Sequence, residues 1–86
     1  NDPSALGCVA AVESANLLDQ VQIVGVDGSD DAKAAIAEGK MLASAAQDPV
    51  QIGSVAIETA YKVIAGEEVE KDIKIPSYLV DASNAK

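Results

Sequence analysis

Val21-Gln22-Ile23-Val24-Gly25-Val26-Asp27 is a nearly continuous apolar run that ends on a carboxylate, and Met41-Leu42-Ala43-Ser44-Ala45-Ala46-Gln47 is a second that ends on an amide. Apolar runs without alternation mark strands that helices cover on both faces. A helix-like segment, Asp30 to Glu38, lies between the two runs. The strands are therefore expected to be parallel neighbours joined by a right-handed crossover. Asp27 and Gln47 then emerge on one edge of the sheet, at the carboxyl ends of the strands, where open α/β sheets bind ligands. A carboxylate accepts from hydroxyls and an amide both donates and accepts, so the pair suits a small polyhydroxylated molecule.

Working outward, Asn1-Asp2-Pro3 opens a first helix, with a capping residue and proline in the first turn, running to about Asn16. Ser29 is the expected cap of the second helix, with Asp30 and Asp31 facing its dipole, and Gly39 ends it. Asp48-Pro49 opens a third and longest helix, which Gly66 ends. Its apolar face is Ile52, Val55, Ala56, Thr59, Ala60, Val63 and Ile64. After the acidic turn at Glu67, Glu68 and Glu70, Ile73 and Ile75 alternate with polar residues. Pro76-Ser77 interrupts, Tyr78-Leu79-Val80 is extended, and the last residues read as frayed. The order α-β-α-β-α-β predicts an α/β fold with a three-layer, doubly wound parallel sheet. Such a sheet calls for a strand before the first helix, so the chain reads as a piece of a larger fold. Asn1 would sit at the carboxyl end of that strand, on the edge shared by Asp27 and Gln47.

The 86 residues are 49% apolar, mostly Ala, Val and Ile, with no Phe or Trp and only Tyr61 and Tyr78 aromatic. Such small side chains pack closely but each buries little area. The formal net charge is −8 and every cation is a lysine, which argues against nucleic-acid binding and against anionic membranes. No run reaches membrane-spanning length, and the first residues already read as a helix start, so any secretion leader is expected upstream of them. Cys8 shares a helical stripe with Ala5, Val9 and Val12 and is expected to be a small core hydrophobe.

Each candidate site residue also has a plainer reading. Asp27 before Gly28 is a common turn former, Gln47 a polar strand end, and Asn1 a helix cap. Asp27, Ser29, Asp31 and Glu38 match positions of a calcium loop, but Ala32 stands where that loop requires glycine. With no histidine and one cysteine a zinc site is excluded, and neither metal nor cofactor is expected. Without a nucleophile–base pair or a Gly-rich phosphate loop, the chain does not read as an enzyme. Asp27 also invites comparison with the phospho-acceptor of a signalling receiver domain, but Gln47 stands where a receiver places a lysine.

Taken in order, Asn1-Asp2 with Ala5-Leu6-Gly7, Val24-Gly25-Val26-Asp27-Gly28, Ala45-Ala46-Gln47-Asp48-Pro49 with Gln51-Ile52-Gly53, and Val63-Ile64-Ala65-Gly66-Glu67 form a quite specific series. The chain resembles the last third of a periplasmic sugar-binding protein of the ribose-binding type, the receptor of an ABC importer. The resemblance fades after Val80. It implies that Asn1, Asp27 and Gln47 hydrogen-bond sugar hydroxyls and that Val26 occupies a position that often carries an aromatic ring against the sugar. It also implies two lobes closing about a hinge. Residues 1–47 would belong to the C-terminal lobe, 48–76 to the N-terminal lobe, and 77–86 to a return segment and tail. The implied partners are a monosaccharide, a membrane ABC permease and the N-terminal part of the same protein. The implied location is periplasmic or extracellular, with lipid anchoring at the cell surface as one form. The effector-binding core of a lactose-repressor-type regulator shares this fold and is the alternative.

Overall fold

A computed structural model describes residues 1–85; Lys86, the last residue of the expected tail, lies outside the described residues. The elements are α1 (Asp2–Ser14), β1 (Val24–Asp27), α2 (Asp30–Ala37), β2 (Ala43–Ala46), α3 (Pro49–Ile64) and β3 (Tyr78–Asp81). Each helix opens on a side chain that accepts a first-turn amide the helix cannot pair for itself. Asn1 accepts from Ser4 N at 3.0 Å, Ser29 from Ala32 N at 3.2 Å, and Asp48 from Gln51 N at 3.0 Å. Gly39 and Gly66 follow the ends of α2 and α3 with φ of 79° and 82°.

The strands are shorter than the apolar runs. Val21–Ile23 and Met41-Leu42 fall outside the ladder, although Leu42 N still donates to Ile23 O at 2.9 Å. In the sheet order β1-β2-β3, β1 and β2 are parallel, in register from Val24↔Ala43 to Asp27↔Ala46. The third strand corrects the expected all-parallel sheet. β3 runs antiparallel to β2, from Ala46↔Tyr78 to Ala43↔Asp81. The chain leaves β2 at its carboxyl end, forms α3 beyond that rim, and re-enters from the same rim at Tyr78. A strand entering there has to run backwards.

Helices cover one face of this sheet among the described residues, not both. Gly25, Ser44 and Val80 lie in one register row and are buried against the helices. On the opposite face Val24, Val26 and Leu79 are 58%, 44% and 56% exposed. The core is a single cluster centred on Ala5 and Val9 of α1, Ala32 and Ile36 of α2, Ala46 and Val80. Cys8 is not in it, contrary to expectation: it is exposed. The stripe of α1 that packs runs through Asp2, Ala5 and Val9, and Cys8 lies on the flank beside it. The chain end does not fray as expected. Ala85 is buried in the core, and Asn84 ties the end back through Nδ2 to Leu79 O at 2.9 Å.

α3 stands apart, with no buried residue. The Cα radius of gyration is 17.3 Å and the extents are 58 × 22 × 16 Å, whereas a compact chain of this length has a radius of about 12 Å. The accessible surface, 6116 Å², likewise exceeds the ~4,700 Å² of a compact monomer of this mass.

Candidate functional site

Parallel pairing places the ends of β1 and β2 side by side. Gln47 N donates to Asp27 O at 3.1 Å, and Gln47 Nε2 donates to Asp27 Oδ1 at 2.9 Å. Both side chains are exposed on the carboxyl rim. Their mutual bond fixes both orientations and leaves Asp27 Oδ2 and Gln47 Oε1 as acceptors for a guest, along with the second amide hydrogen of Gln47. Asp27 has φ of 131°, in a region that L-residues rarely adopt. That conformation costs about 1–3 kcal/mol and persists only where its surroundings impose it.

Asn1 reaches the same rim by connectivity. Its neighbour Asp2 accepts from Ser29 N at 2.7 Å, and Ser29 follows Asp27-Gly28 directly. Asn1 Oδ1 is committed to the cap of α1, so Nδ2 is the donor it can offer. Val26 lies one residue before Asp27, on the uncovered face of the sheet. The amino ends of α1 and α2 both open at this rim and bring partial positive charge toward its carboxylates.

Sequence reasoning missed the group beneath the rim. Asp2 and Ser44 are fully buried polar residues. Ser44 Oγ donates to Asp2 Oδ1 at 2.8 Å and accepts from Gly28 N at 3.0 Å. Burial works to raise the Asp2 pKa, but hydrogen bonds from Ser29, Ser44 and Gly28 outweigh it and hold the carboxyl below its usual range. Gly25 makes room for this carboxylate, since a Cβ there would overlap Asp2 Oδ1. Gly28, at φ 76°, is equally constrained, because a Cβ would meet Ala46. The signal in the sequence was Ser44, a polar residue inside an apolar strand and opposite a glycine. Asp2 gave none, because an acid in a first helical turn is already explained by the dipole.

The family model of the periplasmic binding protein domain matches residues 1–68. The chain belongs to that family. Among relatives of this periplasmic binding protein, the ribose import binding protein of Haemophilus influenzae is 48% identical over 75 residues, covering 87% of this chain and 25% of its own. A solved ABC transporter periplasmic solute binding protein from Actinobacillus succinogenes, with bound D-allose, superposes with a TM-score of 0.90 at 34% identity. The superposition covers 99% of this chain and 30% of that one. An ABC transporter solute binding protein from Mycobacterium smegmatis, with bound glycerol, gives a TM-score of 0.88 at 43% identity, covering 99% and 30%. The chain thus spans about a quarter of the length of the curated relatives it matches.

Proposed function

We propose that the chain forms the C-terminal part of an ABC-importer receptor and supplies one wall of a monosaccharide site that closes between two lobes. The observation that carries this reading is the Asp27–Gln47 pair, hydrogen-bonded at 2.9 Å on the carboxyl rim of two parallel strands. Asp27 accepts from sugar hydroxyls, Gln47 accepts and donates, and Asn1 donates from Nδ2. Val26 gives a dispersion contact without the stacking an aromatic ring would add, so the preferred sugar differs from that of receptors with a ring there.

In this reading residues 1–47 and 77–86 belong to the C-terminal lobe and 48–76 to the N-terminal lobe. The bareness of α3 and of the sheet face bearing Val24, Val26 and Leu79 supports the division. The absent N-terminal part covers them. There is no chemical step. Sugar binds the closed state better than the open one, shifts the population toward it, and the closed receptor meets a membrane ABC permease. The full-length protein works in the periplasm or outside the cell, with lipid anchoring at the cell surface as one form of the latter.

Calorimetric titration of the full-length receptor with ribose, allose and galactose tests this. Asp27→Ala removes a charge-assisted hydrogen bond and is expected to raise Kd about 10- to 100-fold. Binding of none of these sugars by the unaltered protein, or an unchanged Kd in Asp27→Ala, rejects the reading. The chain by itself is expected to bind sugar negligibly, because the opposing wall is missing.

A further inference from the structure

Asp2 is a fully buried carboxylate, and no lysine lies within ion-pair distance of it among the described residues. Burial of an unpaired charge is costly, and an apolar side chain would suit the α1–β1 contact better. Helix capping does not explain it, because Asn1 already caps α1. Both of its oxygens are instead committed to the turn that follows β1. Oδ2 accepts from Ser29 N at 2.7 Å, and Oδ1 accepts from Ser44 Oγ at 2.8 Å. Ser44 Oγ in turn accepts from Gly28 N at 3.0 Å. The two amides that immediately follow Asp27 are thus pinned by one network, and Asp27 is the residue whose φ of 131° needs an imposed conformation.

We propose that Asp2 is a positioning residue: acting with Ser44, it holds the Gly28-Ser29 turn so that the strained Asp27 presents its carboxylate beside Gln47, and it thereby sets sugar affinity without touching the sugar. The affinity part rests on the proposed function; the ordering of the turn does not. Asp2→Asn keeps the shape but replaces an acceptor with a donor, so Ser29 N and the Ser44 hydroxyl hydrogen can no longer both be satisfied. Ser44→Ala removes the same bridge without changing charge, so both variants should act alike.

The test uses the full-length receptor, titrated calorimetrically with ribose and allose well below its melting temperature. Amide hydrogen exchange at Gly28 and Ser29 is followed in parallel. Each variant is expected to raise Kd about tenfold and to speed exchange at Gly28 and Ser29, with Val9 and Ile36 unchanged. A lowered Tm with wild-type Kd and wild-type exchange at the turn would mean a merely structural role and overturns the proposal. If the unaltered receptor binds neither sugar, the proposed function fails, and the positioning claim stands or falls on exchange alone. Faster exchange confined to the turn supports it, and unchanged exchange rejects it.

Discussion

The sheet half of the molecule and the α3 arm are built from helices of equal local quality, yet only one half has a core. α1 and α3 both begin at a side-chain cap with proline in the first turn. α3 is the longer and carries the clearer apolar face. Nevertheless α1 buries Asp2, Ala5 and Val9, while α3 buries nothing. One apolar stripe of α3, through Ile52, Val55, Ala56 and Thr59, borders a groove closed by Ile73 and Ile75. The other runs through Ile57, Ala60 and Ile64, and there Ile57 and Ile64 are 63% and 83% exposed. Amphipathicity written into a helix records where it packs in the whole protein, and a segment can carry that record without the surface it packs on.

The sharpest test of this contrast pairs two isoleucines. Ile36→Ala opens a cavity in the sheet-half core, where Ile36 is 2% exposed, and is expected to cost about 2–5 kcal/mol in the full-length protein. Ile64→Ala is expected to cost within about ±0.5 kcal/mol in the isolated chain. In the full-length receptor, where the proposed lobe covers α3, it should approach the cost of Ile36→Ala. Urea unfolding of both variants in both backgrounds measures this. An Ile64→Ala cost that stays negligible in the full-length protein would leave α3 undocked and reject the division of lobes.

The same contrast governs what was legible in the sequence. Caps, helix stops and the parallel β1–β2 pair are local consequences of Asn1, Ser29, Asp48, Gly39 and the β-α-β spacing, and all could be read. The juxtaposition of Asp27 and Gln47 followed from that pairing alone. The direction of β3 could not be read, because it depends on which rim the chain re-enters after α3. The uncovered sheet face was hidden for a related reason: the unbroken apolar run at Val21–Val26 describes an environment this chain does not supply. The Asp2–Ser44 bond joins residues on α1 and β2, and neither local pattern distinguishes it from a cap and a chance serine.

A smaller effect is expected from acid, and it falls on the sheet half alone. Hydrogen bonds from Ser29, Ser44 and Gly28 outweigh burial and hold the Asp2 carboxyl below the ordinary aspartate value of 3.8, so between the folded and unfolded pKa the unfolded chain binds more protons. Stability from this group is therefore fully present above 3.8 and is lost as pH falls through the depressed folded value. The melting-temperature difference between the unaltered receptor and Asp2→Asn should be constant near neutrality and narrow in acid below pH 3.8. A difference that instead widens in that acid range would contradict the hydrogen-bonded, ionised Asp2.

The smallest expected effect concerns Cys8, one turn from a buried residue yet itself exposed. On α1 the residues that meet the sheet half are Asp2, Ala5 and Val9, spaced three and four apart along one stripe, with Val12 packed at its end. Cys8 is rotated off the centre of that stripe and is exposed. Replacing an exposed thiol with a hydroxyl removes no packing, so Cys8→Ser should change stability by less than about 0.5 kcal/mol. The thiol of the folded chain should also react with an aromatic disulfide reagent as fast as that of the urea-unfolded chain. A destabilisation above about 1 kcal/mol, or a thiol protected until unfolding, would return Cys8 to the core. It would then rotate the packed face of α1 away from Asp2, and with it the buried network beneath the rim.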